Sequence, residues 1–425
     1  MNTVITQHPS LYKIVVTHYL LAAISFLAIA PMLAFAVADL DGHYFQPHLL
    51  SITHIAALGW GTVIIFGACY QLVPVILDTE LFSYKMAWLS IVTFYTGLLD
   101  FIYSFWIFEP GLHLQCGSLL LLTGISLFVA NVFITSKKIK KPDVYQDFIL
   151  TSCIWLLVTA ILGVLMVFNF RYAFLPQDHL LFLKLHAHAG LAGWFLLLII
   201  GVSAKLLPMF LVSTGQKVAW LKWCFPLLNV ALLLFFIDTY FFGLNRFTYF
   251  IASLAFGGIV CWLIYVYQCF ATRLRKKLDV AMSHTLISIL LLILAIAVLP
   301  FIIFYQLKAD VLAVRLTVLY GSILLLGWIT SLILGQTFKT LPFIVWTKRY
   351  QHIAGTKTTL LPAQLYNTAL LNIQFIAFLL FVVSFSFGLF LQLKWLIFIG
   401  VVCLAIVAVS YFINVLITLL KKSET

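Results

Sequence analysis

Gly59-Trp60, Gly193-Trp194 and Gly327-Trp328 stand 134 residues apart each time, and the same spacing carries Gly67 to Gly201 to Gly335 and Pro74 to Pro208 to Pro342. A chain patterned this way folds as copies of one unit. Trp fills only 11 of 425 positions, so three Gly-Trp pairs in step with a downstream Gly and Pro are not coincidence.

Composition says what surrounds those copies. With 64% hydrophobic and 9% charged residues, the chain carries more apolar surface than a water-soluble domain can hide. Twelve apolar runs reach the roughly 20 residues needed to cross the hydrocarbon core as helices. They lie near 13–38, 48–76, 84–108, 113–136, 148–170, 179–212, 219–242, 247–271, 281–305, 312–346, 365–391 and 394–420. The predicted fold is an all-α membrane protein with twelve transmembrane helices in three pseudo-threefold four-helix repeats, about 13–136, 148–271 and 281–420. Together they form one polytopic membrane domain over 1–425, with the Gly-Trp marker on the second helix of each repeat.

Basic residues set the orientation. With the N-terminus inside, the clusters Lys137, Lys138, Lys140, Lys141 and Arg273, Arg275, Lys276, Lys277 face the cytoplasm. The outer loops keep only Arg171, Arg246, Lys308, Arg315 and Lys394. The positive-inside rule then puts both termini in the cytoplasm, and the expected location is the bacterial inner membrane. The formal net charge of +12 is topology, not a nucleic-acid-binding face, because no soluble domain presents one. The lipid bilayer is the expected partner.

Several classes fall away. The start MNTVITQHPSLYK lacks a basic region followed by a cleavable small-residue site, so the first apolar run is expected to be a retained helix. No GxxxxGK[ST] occurs and the longest connections are too short for a nucleotide-binding fold, which excludes ATP-driven transport by this chain alone. Seven cysteines are scattered through apolar segments with no CxxC or CxxCH spacing, and read as small buried hydrophobes.

Ionisable groups inside a membrane are costly unless they have a partner or a job. Of eleven histidines, six fall in or beside the second helices of the first two repeats: His43, His48 and His54, then His179, His186 and His188. The 134-residue spacing maps His54 onto His188, and both onto Ser322. At about 1.5 Å per residue, His54, His186 and His188 sit in the outer half of the bilayer. His186 and His188 are about 200° apart on a regular helix, so a chelate using both needs local unwinding near Gly190 and Gly193. Imidazole is a preferred ligand of haem iron and copper, and Ala- and Gly-rich stretches such as HAHAGLAGW leave room for a flat macrocycle. The competing reading gives each histidine a hydrogen bond to a neighbouring helix or to interfacial water.

Gln71, Lys205 and Lys339 also match across repeats, each three residues before the shared proline. A long polar side chain there can satisfy the carbonyl freed by proline or snorkel to the inner interface. Asp100 and Asp238 are single carboxylates in apolar helices, and with the two lysines they are the coupling groups of a transporter reading.

The segment THIAALGWGTVIIFGACYQLVP resembles the second helix of subunit I of the haem-copper oxidase superfamily, where a haem-binding histidine precedes a Gly-containing stretch ending in a similar Leu-Val-Pro. LKLHAHAGLAGWFLLLIIGVSAKLLPMF stands where the sixth helix of that family supplies a copper-ligating histidine. The chain is also similar to the divergent haem- and copper-containing membrane proteins of the nitric-oxide response. The resemblance covers nearly the whole chain in topology, but in motifs only helices two and six. It implies haem, and copper as a second cofactor, at His54, His186 and His188, with an electron-donor protein or quinol as partner and nitric oxide or oxygen as small-gas ligand. Departures are specific. The family pattern has two histidines on helix ten, where VRLTVLYGSILLLGW offers Tyr320 and Ser322, and a His-His pair on helix seven, which here has none. If His54 holds haem, its other axial ligand falls to His186 or His188, or the iron stays five-coordinate. The expected function is electron transfer or nitric oxide and oxygen handling; the alternatives are a membrane transporter and a cofactor-free respiratory scaffold.

Overall fold

The computed structural model describes residues 9–76, 79–137, 143–352 and 359–421. Lys138, Lys140 and Lys141, used in the topology argument, and the first eight residues, used in reading the N-terminal segment, lie outside them.

Among the described residues there are twelve helices long and apolar enough to cross a membrane. They are α1 (Ser10–Phe35), α2 (Pro47–Ile76), α3 (Tyr84–Trp106), α4 (Leu112–Ser136), α5 (Val144–Tyr172), α6 (His179–Leu211), α7 (Ala219–Phe242), α8 (Phe247–Ala271), α9 (Val280–Leu307), α10 (Leu312–Arg349), α11 (Thr368–Leu391) and α12 (Lys394–Leu420). Each apolar run becomes one helix, because a backbone in hydrocarbon must satisfy its own hydrogen bonds. At two of the ends that differ from the sequence expectation, a side-chain cap sets the first turn. Helix α5 starts four residues earlier because Asp143 accepts the Gln146 N–H at 3.0 Å. Helix α11 starts three residues later because Asn367 accepts the Ala369 N–H at 2.8 Å.

The chain divides into two compact units. The first comprises the described parts of Met1–Leu72, Asp279–Val298 and Val314–Thr425; the second, of Val73–Leu278 and Leu299–Ala313. In the first unit α1 packs on α2 and α12, and α11 pairs with α12. In the second, α3 pairs with α4, α5 with α6, and α7 with α8.

Glycine allows the close approach of these pairs. A Cβ on Gly124 would meet the Phe94 N at 2.8 Å, and one on Gly258 would meet the Leu228 Cγ at 2.8 Å. Both residues of that contact recur at the 134-residue spacing. In the third copy Gly388 and Gly400 lie against Ile397 and Phe385 instead. Small residues let membrane helices touch backbone to backbone, where dispersion replaces the missing hydrophobic drive.

The glycines that mark the repeat do the same between the first and second helix of each copy. Gly67 faces His18, Gly201 faces Phe148 and Gly335 faces His284. About two turns toward the N-terminus of each second helix, Gly59 faces Ser25, Gly193 faces Trp155 and Gly327 faces Leu291. The first helices are therefore related by 130 and then 136 residues, not 134, and the difference is taken up before each second helix begins.

Candidate functional site

Each second helix changes its winding at the same place. In α2, an α-helical Pro47–His54 passes into a π-helical Ile55–Thr62; in α6, His179–His188 passes into Ala189–Leu196; in α10, Leu312–Ser322 passes into Ile323–Ile329. The residue just before the change is His54, His188 or Ser322, the three positions matched by the repeat. A π segment carries one more residue per turn than an α-helix and is frequent at functional sites. The three segments share the Gly-Trp pair, with the glycine giving way to the first helix of its repeat. Thr62 and Thr330 donate their hydroxyls to the carbonyls five residues back, Ala57 at 2.9 Å and Leu325 at 2.8 Å. Leu196 stands at the matched place in α6 and the π segment still forms, so threonine supports the winding without causing it.

The side chains at the transition share one bond. His54 Nδ1 lies 2.7 Å from the Leu50 carbonyl, His188 Nδ1 lies 2.8 Å from the Lys184 carbonyl, and the Ser322 hydroxyl donates to the Val318 carbonyl at 2.8 Å. A carbonyl only accepts, so in both histidines Nδ1 carries the proton and the neutral ring has its lone pair on Nε2. This is the second-layer bond that orients a metal-binding imidazole and raises its basicity. In the third copy serine keeps the bond but brings no ligand nitrogen.

His186 has a different setting. Its Nδ1 donates to the Thr159 carbonyl of α5 at 2.9 Å, and its ring lies over Gly163, where a Cβ would meet Cε1 at 3.2 Å. His188 turns instead to Phe235 of α7, the ring centroids 4.3 Å apart. The π segment begins after both histidines, so they keep the divergence of a regular helix and the structure does not bring them together. His54 belongs to the first unit, His186 and His188 to the second. Among the described residues no group of three His, Cys, Asp or Glu side chains is placed to hold a metal ion.

The remaining polar residues have local partners. Lys339 forms an ion pair with Asp279, the residue that caps α9 through the Met282 N–H at 3.0 Å. Lys205 lies 5.6 Å from the ring centre of Tyr145. Asp238 accepts from the Asn245 side chain at 2.9 and 3.1 Å, and Asp100 faces His113 at 3.3 Å. At or before the N-terminal ends of the second helices His48 meets Asp39 at 2.6 Å, His179 meets Asn169 at 3.3 Å, and the Phe45 N–H donates to His43 at 3.0 Å. The seven cysteines are free thiols.

Two buried histidines escaped the sequence reading. His18 donates from Nδ1 to the Ile14 carbonyl at 2.8 Å, and its buried Nε2 has no hydrogen-bond partner among the described residues. His284 is held by Ser331 at 3.4 Å and Gln374 at 3.1 Å. They occupy equivalent places opposite Gly67 and Gly335, yet stand 266 residues apart rather than twice 134, so the repeat spacing does not reveal them.

No family model matches the chain, and no curated protein matches it in sequence. Solved structures do. A heme-copper terminal oxidase, described as a dimer by cryo-electron microscopy, superposes with a TM-score of 0.65 at 13% identity, covering 98% of this chain and 85% of that one. The backbone fold is similar to that of this oxidase. At this identity the likeness concerns the path of the backbone, and the chemistry has to be argued from the residues. The repeat-matched histidines of α2 and α6 fit haem or copper in donor type and tautomer. An oxidase-type binuclear centre does not fit, since α7 has no histidine and α10 carries Tyr320 and Ser322.

Proposed function

We propose that this integral membrane protein binds haem, and copper as a second cofactor, with His54, His186 and His188 as the candidate ligands, and acts in electron transfer or in handling nitric oxide or oxygen. The observation that supports this reading is the bond from Nδ1 to the fourth carbonyl back, made by two imidazoles one repeat apart in an oxidase-like fold. Each ring is held by its own helix with Nε2 as the lone-pair nitrogen, so neither has to change tautomer to ligate. Haem, when bound, supplies a one-electron iron couple and, where a coordination position stays open, a place for a small gas. Four-electron reduction of oxygen is not part of the proposal, because the residues for a binuclear centre are not in the chain. An electron-donor protein or quinol is the proposed partner, and the bacterial inner membrane with both termini cytoplasmic is the proposed location. The groups named by the transporter reading each have a local neighbour: Lys205 the Tyr145 ring, Lys339 Asp279, Asp238 Asn245 and Asp100 His113.

A reduced-minus-oxidised visible spectrum of the detergent-purified protein, with metal analysis, tests the proposal. The expected result is a Soret band lost in His54→Ala and in His188→Ala. Loss of the band or of copper in His186→Ala assigns that residue its cofactor. A folded, colourless, metal-free wild type overturns the reading. A spectral shift on adding carbon monoxide or nitric oxide to the reduced protein identifies an open iron position.

A further inference from the structure

Lys184 is a cation placed within a membrane-spanning helix, half-buried, and it makes no ion pair with any described residue. It precedes His188 by four residues and therefore shares its face of α6, one turn or about 6 Å nearer the outer interface. The two residues are also joined, because the Lys184 carbonyl accepts the His188 Nδ1 proton at 2.8 Å. That bond draws the imidazole back against the turn that carries the lysine. The nearest carboxylate in sequence on this helix end, Asp178, caps the helix by accepting the Leu180 N–H at 2.8 Å and acts on Lys184 through space, without an ion-pair contact. The matched positions in the other copies are Leu50 and Val318, so the cation belongs to the second copy alone.

A haem is apolar around most of its rim and carries two carboxylates on one edge. In a bilayer the carboxylate edge turns to the interface, for the same cost that keeps charged side chains out of hydrocarbon. A ring ligated by His188 Nε2 in that attitude carries its acid groups toward the turn occupied by Lys184. We propose that Lys184 is the counter-ion of a haem carboxylate at His188, a role that rests on the haem reading above and assigns the ring its attitude. The competing role, a lysine that only snorkels to the outer interface, gives no preference between porphyrins with and without acid groups.

The test titrates haem-free protein, made in cells blocked in haem synthesis, with iron protoporphyrin IX and separately with its dimethyl ester. Wild type is expected to bind the diacid roughly tenfold more tightly, the worth of one charge-assisted contact. Lys184→Gln is expected to bind both alike, at the ester affinity of the wild type, and Lys184→Arg to restore the preference. The midpoint potential of Lys184→Gln is expected to lie below that of the wild type, because removing a cation beside the ring favours ferric iron. Equal affinity for the two porphyrins in wild type, or an undiminished preference in Lys184→Gln, overturns the role of Lys184 and leaves the haem reading standing. Uptake of neither porphyrin by folded wild type overturns both.

Discussion

At the scale of single residues, the clearest consequence of the structure concerns Thr330. Its hydroxyl accepts from Trp60 Nε1 at 3.1 Å while donating to the Leu325 carbonyl at 2.8 Å, so one side chain joins the Gly-Trp markers of the first and third copies. Trp60 is fully buried, with Phe26 stacked on it at 4.4 Å and Tyr411 edge-on at 5.1 Å. Thr330→Val keeps the shape and removes both bonds. It is expected to destabilise the protein by about 1 kcal/mol, the size of a hydrogen bond inside a membrane protein, measured by reversible unfolding in mixed micelles. Lys339 supports a second prediction at this scale. Its side chain is 10% exposed and Asp279 is 33% exposed, so Lys339→Met strands a carboxylate that still has water and a helix N-terminus beside it. The expected loss is about 1 kcal/mol or less, and a double-mutant cycle with Asp279→Asn measures the pair itself.

At the scale of the element, glycine decides which helices can touch. A Cβ on Gly335 would meet the Ala281 carbonyl oxygen at 2.4 Å and the His284 Cβ at 2.8 Å, so Gly335→Ala forces α9 away from α10. The expected cost is about 1–3 kcal/mol, that of an overpacked core. Gly321, one residue before Ser322 in the same helix, has nothing within 4 Å of its missing Cβ. Gly321→Ala is therefore expected to stabilise, by about 0.5–1 kcal/mol, through helix propensity alone. The two substitutions are chemically identical and opposite in expected sign, and thermal denaturation in detergent distinguishes them. The π segments belong to this scale too. Composition does not announce them, because an i→i+5 turn is chosen by how a helix must rotate to satisfy its neighbours. Only the Gly-Trp coincidence hinted at a special stretch in each second helix.

At the scale of the whole molecule, the helix count was legible because hydrocarbon imposes a simple rule on the backbone. Every apolar run of sufficient length became one helix, and two starts shifted by a few residues where Asp143 and Asn367 cap the first hydrogen-bonded turn. Orientation rests on charge, and it predicts the outcome of labelling. In a cysteine-free background, Arg246→Cys is expected to react with a membrane-impermeant thiol reagent from the outer side of right-side-out vesicles, and Arg275→Cys only after the vesicles are opened. The reverse pattern overturns the assignment of the termini.

The candidate site divides along the same line. Sequence alone determined that His54, His188 and Ser322 are one position seen three times, and that His186 points elsewhere, because the repeat spacing and the helical period are both written in residue numbers. Only tertiary structure decided that His186 leans on Thr159 of α5 and His188 on Phe235 of α7, and that His18 and His284 lie buried against the repeat glycines. Those outcomes depend on which atoms of neighbouring helices approach one another, and close packing between helices leaves no periodic trace along a single one.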